Sequence, residues 1–338
     1  MLAVVKENFG PGIMIKEVEK PVIRNSDVLV KVERAGICGS DVPVWNGIRK
    51  VPLPFISGHE YVGTIVQAGN DVKGFKVGDR VIPGSVQNCF ACSYCREGME
   101  HLCDDLIETG IHVNGAFAEY VAAPYVCLHH CPEGMDLNVA VFADPVASAY
   151  HPIKLARINS EENVVVFGPG AIGLMMVQLA KLEGAKKIIL AGTRDARLDI
   201  GKELGADHTI NVRDTKDVTG TIRRLLGGGL ADVVLEASGQ AGVVATALQV
   251  VKKGGRVIAE SIYHENSSLM MTDVVRKEIT IIGSICYTYF EFEHCIHLLK
   301  SGKIVTAPLI SHEFALRDAE KALEALNAKR ALKVLLKP

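Results

Sequence analysis

Four cysteines lie within fifteen residues of this chain, in the segment CFACSYCREGMEHLC. They are Cys89, Cys92, Cys95 and Cys103. The spacing C-x2-C-x2-C-x7-C can bring four thiolates around one Zn²⁺ ion, and four protein ligands leave no position for a substrate. Unligated thiols in a segment rich in Glu, Gly and Arg would make a poor core. The sequence therefore predicts a structural zinc lobe over residues 89–103, and the chemistry must lie elsewhere.

The size and charge of the chain exclude some functions. Its 338 residues are enough for two domains of ordinary size. A formal net charge of -2 offers no overall basic surface to nucleic acid or an anionic membrane. Nine cysteines, an odd number, argue against a disulfide framework and for a reducing compartment. We therefore predict a cytoplasmic protein that works on a small molecule and binds neither nucleic acid nor a membrane.

Two patterns of apolar residues divide the chain. Up to about residue 150, short alternating segments are broken by Gly and Pro, which predicts a twisted β barrel. From Glu162 onward, apolar runs alternate with helical stretches, as is typical of a parallel sheet covered on both faces. The predicted strands include 27–33, 61–68 and 118–122 in the first region, and 164–167, 188–191, 208–212, 232–237, 256–260 and 279–283 in the second. After Ser284 the pattern becomes rich in helix and ends in the strand-like segment LKVLLKP.

A glycine motif, G-x-G-x-x-G, follows the first strand of the second region at Gly168, Gly170 and Gly173. The first glycine permits a tight turn, the second lets the backbone approach a pyrophosphate, and the third lets the helix pack closely on the strand. Ala171 and Ile172 lie at the predicted helix start, where backbone N–H groups face an anion. Because strand, motif and helix occur in the expected order, we predict a Rossmann dinucleotide site.

The end of the next strand distinguishes between the two nicotinamide dinucleotides. An NAD site usually has an acidic residue there, about 20 residues after the motif, which accepts hydrogen bonds from the ribose. This chain has Gly192, Thr193 and Arg194 there, with Arg197 close by. Space, a hydroxyl and guanidinium charge suit a 2′-phosphate, so we predict NADP(H) rather than NAD(H). Asp195 could reach a ribose, which leaves NAD(H) as the alternative.

A second metal site is predicted upstream, from the segments GICGSD (36–41) and GHE (58–60). Cys38 and His59 offer a thiolate and an imidazole, and the flanking glycines allow close approach. Glu60 and Asp144 are candidate carboxylate ligands. Three protein ligands with an open fourth position would make this zinc site catalytic.

Taken together, these motifs resemble those of the zinc-dependent medium-chain alcohol dehydrogenases, especially the sorbitol, threonine and sugar-alcohol-phosphate dehydrogenase branch. The resemblance spans essentially the full chain. It rests on GICGSD, GHE, KVGDRV (76–81), the four-cysteine segment, GAFAEY (115–120), the pair Asp144–Pro145 and GPGAIG. It implies an α/β protein with a GroES-like β-barrel catalytic domain (1–149 and 284–338) and a Rossmann, doubly wound parallel-sheet cofactor domain (150–283). It also implies a homodimer or homotetramer.

The resemblance also implies roles for single residues. The ligands of the catalytic zinc match Cys38, His59 and Asp144. Glu60 matches a nearby carboxylate that can hold the metal or exchange onto it, and Ser40 matches the hydroxyl that hydrogen-bonds the reacting oxygen and begins proton release. Many members continue this relay with a His three residues later, where this chain has Pro43. Proton exit would then use water, the cofactor ribose or Glu60.

The implied activity is hydride transfer between NADP(H) and a hydroxylated secondary alcohol or its ketone, such as a polyol, cyclitol or sugar derivative, with two zinc ions per chain. Sorbitol-type members carry an Arg where this chain has Cys286 and its neighbours, so sorbitol itself is not predicted. The alternatives are an NAD-dependent threonine dehydrogenase-like enzyme and a simple secondary-alcohol dehydrogenase. A non-enzymatic zinc-module binding protein is a further alternative, but aromatic and basic residues do not alternate near the lobe.

Overall fold

The computed structural model describes residues 1–328 and 330–338 and places them in two compact units. The first unit comprises Met1–Pro145 and Thr288–Pro338, and the second comprises Val146–Tyr287. The chain thus leaves the first unit and later returns to it. Each unit has its own apolar core.

The described residues form seventeen β-strands and eleven α-helices. In chain order the strands are β1 (Leu2–Val5), β2 (Met14–Glu17), β3 (Asp27–Ile37), β4 (Glu60–Ala68), β5 (Arg80–Pro83), β6 (Val86–Gln87), β7 (Ile107–Glu108), β8 (Tyr120–Pro124), β9 (Leu128–His130), β10 (Asn163–Phe167), β11 (Lys187–Gly192), β12 (His208–Asn211), β13 (Ala231–Glu236), β14 (Val251–Ala259), β15 (Thr280–Gly283), β16 (Ile310–Ala315) and β17 (Lys333–Lys337). The α-helices are α1 (Asp41–Trp45), α2 (Ser93–Arg96), α3 (Leu137–Ala140), α4 (Ala143–Ala156), α5 (Ala171–Leu182), α6 (Asp195–Glu203), α7 (Val218–Leu225), α8 (Ala241–Val250), α9 (Met271–Lys277), α10 (Tyr289–Lys300) and α11 (Ala319–Asn327).

The first unit is built on a seven-stranded sheet in the order β16-β17-β3-β4-β5-β9, with β8 also paired to β3. β3 is antiparallel to β4, β8 and β17. The predicted strand over 27–33 continues to Ile37, because β17 and β4 pair with its second half. As a result, β3 carries the chain directly to Cys38. The C-terminal strand was predicted, but β16 beside it was not.

The second unit is built on a six-stranded parallel sheet in the order β12-β11-β10-β13-β14-β15. β10 and β13 are almost completely buried, as expected for strands covered on both faces. The strand order reverses beside β10, and ligands of such sheets bind outside the carboxyl ends of the strands at this switch. The predicted doubly wound parallel sheet is therefore confirmed. β14 begins earlier than predicted and ends at Ala259, so Glu260 follows the strand.

None of the helices formed by the described residues combines the length and the apolar character needed to cross a membrane.

Candidate zinc and cofactor sites

The four cysteines of the lobe converge, with their sulfur atoms within 4.8 Å of one another. The N–H of Cys92 donates to Cys89 Sγ at 3.2 Å, and the N–H of Cys89 donates to Cys103 Sγ at 3.3 Å. Backbone N–H groups of Cys95 and Asp104 lower the pKa of Cys92 to about 6, which favours its thiolate. Four sulfur donors with N–H groups directed at them fit a Zn²⁺ ion in a closed structural site.

A second cluster contains Cys38, His59 and Glu60, one ligand atom of each lying within 4.8 Å of the others. Cys38 follows β3, His59 precedes β4, and Glu60 begins β4. The antiparallel pairing of these two strands brings the three side chains together. His59 and Glu60 are buried, and Cys38 is partly buried. A thiol, an imidazole and a carboxyl form a donor set that suits Zn²⁺.

Two glycines make the close packing of this cluster possible. Gly58 has a φ of +102°, and a Cβ there would lie 2.5 Å from the ring of Phe117. A Cβ on Gly36 would lie 2.3 Å from Glu60 Oε2. A larger residue at position 36 would displace Glu60, and one at position 58 would meet Phe117 and need an unfavourable φ, which explains why both short motifs begin with glycine.

Negative charge surrounds His59. Its Nδ1 atom is buried, has no hydrogen-bond partner among the described residues, and lies 3.9 Å from Asp41 Oδ1. Burial alone would lower the pKa of His59, but a hydrogen bond to Cys38 and the charges of Asp41, Cys38 and Asp144 raise it well above its usual value. Burial also raises the pKa of Asp41 to about 6. A buried site with several anionic groups and an unpartnered ring nitrogen fits a bound cation.

Asp144 lies in the first turn of α4 and acts electrostatically on His59. The group of three within 4.8 Å includes Glu60 rather than Asp144. The role of Asp144 as a zinc ligand therefore stays a prediction.

Ser40 directly precedes α1, and its side chain makes no capping hydrogen bond to this helix. It lies two residues after Cys38, on the same turn. Pro43 lies inside α1, where its carbonyl accepts hydrogen bonds from the N–H groups of Ile48 and Arg49. Its ring can carry no proton, so a relay that began at Ser40 would have no side-chain successor at this position.

Lys333 is a further residue of this site, and it was not predicted from the sequence. Its Nζ lies 2.7 Å from Glu60 Oε1, 2.6 Å from Glu60 Oε2 and 3.3 Å from the carbonyl oxygen of Ile37. Both charged side chains are buried. The pairing of β17 with β3 places Val334 opposite Ile37 and so brings Lys333 to this point. A signal was present, because Lys333 lies within the strand-like segment LKVLLKP, and a lysine in a buried strand is almost always paired.

The glycine motif begins directly after β10 and ends in the first turn of α5, as its spacing predicted. Gly168 has a φ of +103°, and a Cβ there would lie 2.6 Å from the carbonyl oxygen of Ala237. A Cβ on Gly173 would lie 1.9 Å from the carbonyl oxygen of Gly168, so the helix and the turn touch. Gly170 precedes the helix, which begins with Ala171 and Ile172. The first N–H groups of such a helix lack intrahelical partners and can bind an anion.

At the end of β11, the chain passes through Thr193 to Arg194, which directly precedes α6. Burial, and then the neighbouring charge of Arg194, lower the pKa of Arg197 to about 10. Two guanidinium groups close enough to repel each other are suited to an anionic ligand. Asp195, the alternative ribose ligand, accepts a hydrogen bond from Asn211 Nδ2 at 2.8 Å.

Two parts of the chain match models of known protein families. Residues 24–133 match the model of the alcohol dehydrogenase GroES-like domain, and residues 171–301 match that of the zinc-binding dehydrogenases. The chain belongs to the zinc-dependent medium-chain alcohol dehydrogenase family. It is therefore an oxidoreductase of the zinc-binding dehydrogenase type, as the sequence resemblance implied.

Individual relatives cover almost the whole chain. A sorbitol dehydrogenase from Halalkalibacterium halodurans is 35% identical over 342 residues, covering 100% of this chain and 99% of the relative. An L-threonine 3-dehydrogenase from Burkholderia thailandensis is 34% identical over 343 residues, covering 99% and 98%. A solved structure of a protein of the zinc-binding dehydrogenase type from Sinorhizobium meliloti 1021, bound to NADP, has a TM-score of 0.94 at 31% identity and covers 100% and 99%.

Proposed function

We propose that this protein transfers hydride between NADP(H) and a hydroxylated secondary alcohol or its ketone, such as a polyol, cyclitol or sugar derivative. The observation that carries the proposal is the buried cluster of Cys38, His59 and Glu60, whose ligand atoms lie within 4.8 Å of one another in a member of this family. Residues 1–149 and 284–338 would form the catalytic domain, and residues 150–283 the cofactor domain.

Two zinc ions per chain are proposed. One is held by the four cysteines of the lobe, and the other by Cys38, His59 and Asp144 with Glu60 nearby. Zinc at the second site would supply a Lewis acid that lowers the pKa of the substrate hydroxyl. Ser40 hydrogen-bonds the reacting oxygen, accepts its proton and passes on the proton of its own hydroxyl. Since Pro43 offers no side-chain acceptor, the proton then leaves through water, the cofactor ribose or Glu60.

The preference for NADP(H) is supported by Arg194 and Arg197 at the end of β11. A 2′-phosphate would reduce the repulsion between these two guanidinium groups, whereas a ribose hydroxyl would not. The NADP bound to the similar structure from Sinorhizobium meliloti is consistent with this preference.

The substrate class is supported by the relatives, one described as a sorbitol dehydrogenase and another as an L-threonine 3-dehydrogenase. Both names refer to substrates with a secondary hydroxyl and further polar groups. The second candidate function is therefore NAD-dependent oxidation of threonine. We further propose a homodimer or homotetramer, which light scattering on the purified protein would test.

The deciding experiment follows the absorbance of reduced nicotinamide with zinc-loaded protein, NADP⁺ or NAD⁺, and a panel of polyols, cyclitols, sugar phosphates, threonine and simple secondary alcohols. Faster turnover of a polyhydroxylated substrate with NADP⁺ is expected. Faster turnover with NAD⁺ would contradict the cofactor proposal, and threonine as the sole good substrate would establish the second candidate. Turnover that survives complete removal of zinc would contradict the mechanism.

A further inference from the structure

Two acidic residues lie at the carboxyl ends of neighbouring strands in the second unit. Glu236 ends β13, and Glu260 directly follows β14. The pairing of these strands places Glu236 opposite Ala259, and the N–H of Glu260 donates to the carbonyl oxygen of Glu236 at 3.1 Å. We call Glu236 and Glu260 the carboxyl pair. The pair therefore lies at the edge of the sheet where ligands of such folds bind.

The carboxyl pair is buried without a positive partner. Glu236 is fully buried, and its side chain accepts hydrogen bonds from the N–H of Ser238 at 2.7 Å and from the hydroxyls of Ser238 and Tyr263. Such donors favour the charged form of a carboxyl. Burial and the charge of Glu236 raise the pKa of Glu260 to about 8. Among the described residues, no lysine or arginine forms an ion pair with either carboxyl.

Two loops in contact fix the position of the pair. A Cβ on Gly239, in the loop after β13, would lie 3.4 Å from the carbonyl oxygen of Ile262 and 3.5 Å from Cβ of Ser261, in the loop after β14. The Tyr263 hydroxyl also reaches from the second loop to Glu236. The two carboxyl groups are therefore held by packed backbone rather than by free side chains.

The order of strands indicates which half of a dinucleotide lies near the pair. The turn after β10 suits the pyrophosphate, and the end of β11 suits the ribose of the adenosine half. β13 and β14 lie on the other side of β10. A dinucleotide that crosses the switch therefore extends its nicotinamide half towards the carboxyl ends of β13 and β14. The oxidised nicotinamide ring carries a positive charge, whereas the reduced ring is neutral.

We propose that the carboxyl pair discriminates between the oxidised and the reduced cofactor, because its negative charge attracts the nicotinamide ring of NADP⁺ but not that of NADPH. The inference rests on the proposed function, since it takes a dinucleotide at the glycine motif as given. It adds that the preference between the two forms depends on the ionisation of Glu260.

The proposal couples cofactor binding to a proton. A positive ring beside the pair favours the carboxylate of Glu260, so binding of NADP⁺ releases the Glu260 proton to solvent, whereas binding of NADPH does not. The titratable groups that act on Glu260 are Glu236 on β13 and the Tyr263 hydroxyl on its own loop. Burial raises the pKa of Tyr263 above its usual value, so its hydroxyl stays protonated. Glu260 is therefore the group of this cluster that titrates near neutral pH.

Calorimetric titration of the full, zinc-loaded chain tests this inference without measuring turnover. The Kd values of NADP⁺ and NADPH are measured at pH 6.5 and pH 9 for the wild type, Glu260→Gln and Glu265→Gln, an exposed glutamate five residues further along the chain. Adenosine 2′,5′-bisphosphate, which lacks the nicotinamide half, is the ligand control. The ratio of the two Kd values cancels the effects of pH on the shared adenosine half.

The preference of the wild type for NADP⁺ over NADPH is expected to rise about tenfold from pH 6.5 to pH 9, as Glu260 ionises. Glu260→Gln should match the wild type within about twofold at pH 6.5, where Glu260 is protonated, and bind NADP⁺ about tenfold more weakly at pH 9. Its binding of NADPH and of the bisphosphate should not change, and Glu265→Gln should resemble the wild type. A merely structural role for Glu260 would alter the affinities for NADP⁺ and NADPH alike.

Two outcomes would overturn the inference while leaving the proposed function intact. One is a wild-type ratio of Kd values that does not change with pH, and this arm needs no variant. The other is a pH-dependent ratio that Glu260→Gln retains, because another group would then sense the charge of the ring. If neither NADP⁺ and NADPH nor NAD⁺ and NADH bound in the same assay, the proposed function would be overturned as well.

Discussion

A Cβ atom on Gly192 would lie 2.2 Å from Cδ of Pro169, so the end of β11 packs directly against the turn of the glycine motif. Glycine at position 192 therefore has a steric cause that is independent of the cofactor. Because of this steric cause, the lack of an acidic side chain at position 192 does not distinguish NAD(H) from NADP(H). The proposed preference for NADP(H) consequently depends on Arg194 and Arg197 rather than on Gly192.

Removal of either arginine should affect the two cofactors differently. Arg194→Ala and Arg197→Ala are each expected to weaken NADP⁺ binding roughly tenfold, since hydrogen bonds to charged groups are worth about 1.5–3 kcal/mol. NAD⁺ binding should change less than about twofold, because it lacks the 2′-phosphate. Calorimetric titration measures both affinities. Arg213→Ala, an exposed arginine after β12, is the control, and equal losses for both cofactors would contradict the assignment.

Cys38→Ser should remove one of two zinc ions per chain. The hydroxyl of serine is a poorer zinc ligand than a thiolate, so turnover should fall below detection while NADP⁺ binding stays within about twofold of the wild type. Elemental analysis gives the zinc content. Cys131→Ser is a suitable control, because its thiol lies outside both clusters. A Cys38→Ser protein that retains two zinc ions would refute the proposed ligand set.

Cys92→Ser should remove the other zinc ion and destabilise the protein. The N–H groups at Cys92 would lose the thiolate that they stabilise, and the lobe would lose a cross-link between residues 89 and 103. We expect the unfolding temperature to fall by roughly 5 °C or more, whereas the zinc bound at Cys38 remains. Thermal unfolding followed by circular dichroism measures the first effect. An unchanged unfolding temperature and zinc content would argue against a structural site.

Two carboxyl groups lie close together at the carboxyl end of the parallel sheet. The N–H of Glu260 donates to the carbonyl of Glu236 at 3.1 Å. The Glu236 side chain is fully buried and accepts hydrogen bonds from Ser238 and from the Tyr263 hydroxyl. Burial, and then the charge of Glu236, raise the pKa of Glu260 to about 8. Glu260 is therefore mostly protonated at neutral pH.

This raised pKa makes stability depend on pH. An unfolded glutamate loses its proton near pH 4.3, so between about pH 4.3 and 8 the folded state binds a proton that the unfolded state has lost. The contribution of Glu260 to the free energy of unfolding should therefore fall as the pH rises through this range and level off above it. Glu260→Gln should be close to the wild type at pH 4.5 and more stable at pH 8.

Urea unfolding at pH 4.5, 6, 7, 8 and 9 checks this expectation. Glu265→Gln, an exposed glutamate five residues further along the chain, controls for the loss of a surface charge. A stability difference between Glu260→Gln and the wild type that does not change with pH would show that Glu260 titrates normally.

The sequence was sufficient for features that depend on neighbouring residues. The spacing of Cys89, Cys92, Cys95 and Cys103 predicts a lobe because a short segment can close on itself without help from the rest of the fold. The strand, glycine motif and helix around Gly168 were predictable for the same reason. The alternation of apolar runs and helices was enough for the doubly wound sheet, because buried parallel strands need apolar residues on both faces.

Tertiary structure alone decided which distant residues meet. Lys333 and Glu60 are 273 positions apart and become neighbours only because β17 and β4 both pair with β3. The steric need for Gly192 likewise depends on the turn after a different strand. The spacing of residues along a chain does not reveal the order of strands in a sheet. Only the folded sheet places the buried charge of Lys333 beside an oppositely charged side chain, that of Glu60. The sequence therefore determined the separate motifs, and the packing of strands determined which cation lies beside the candidate metal cluster.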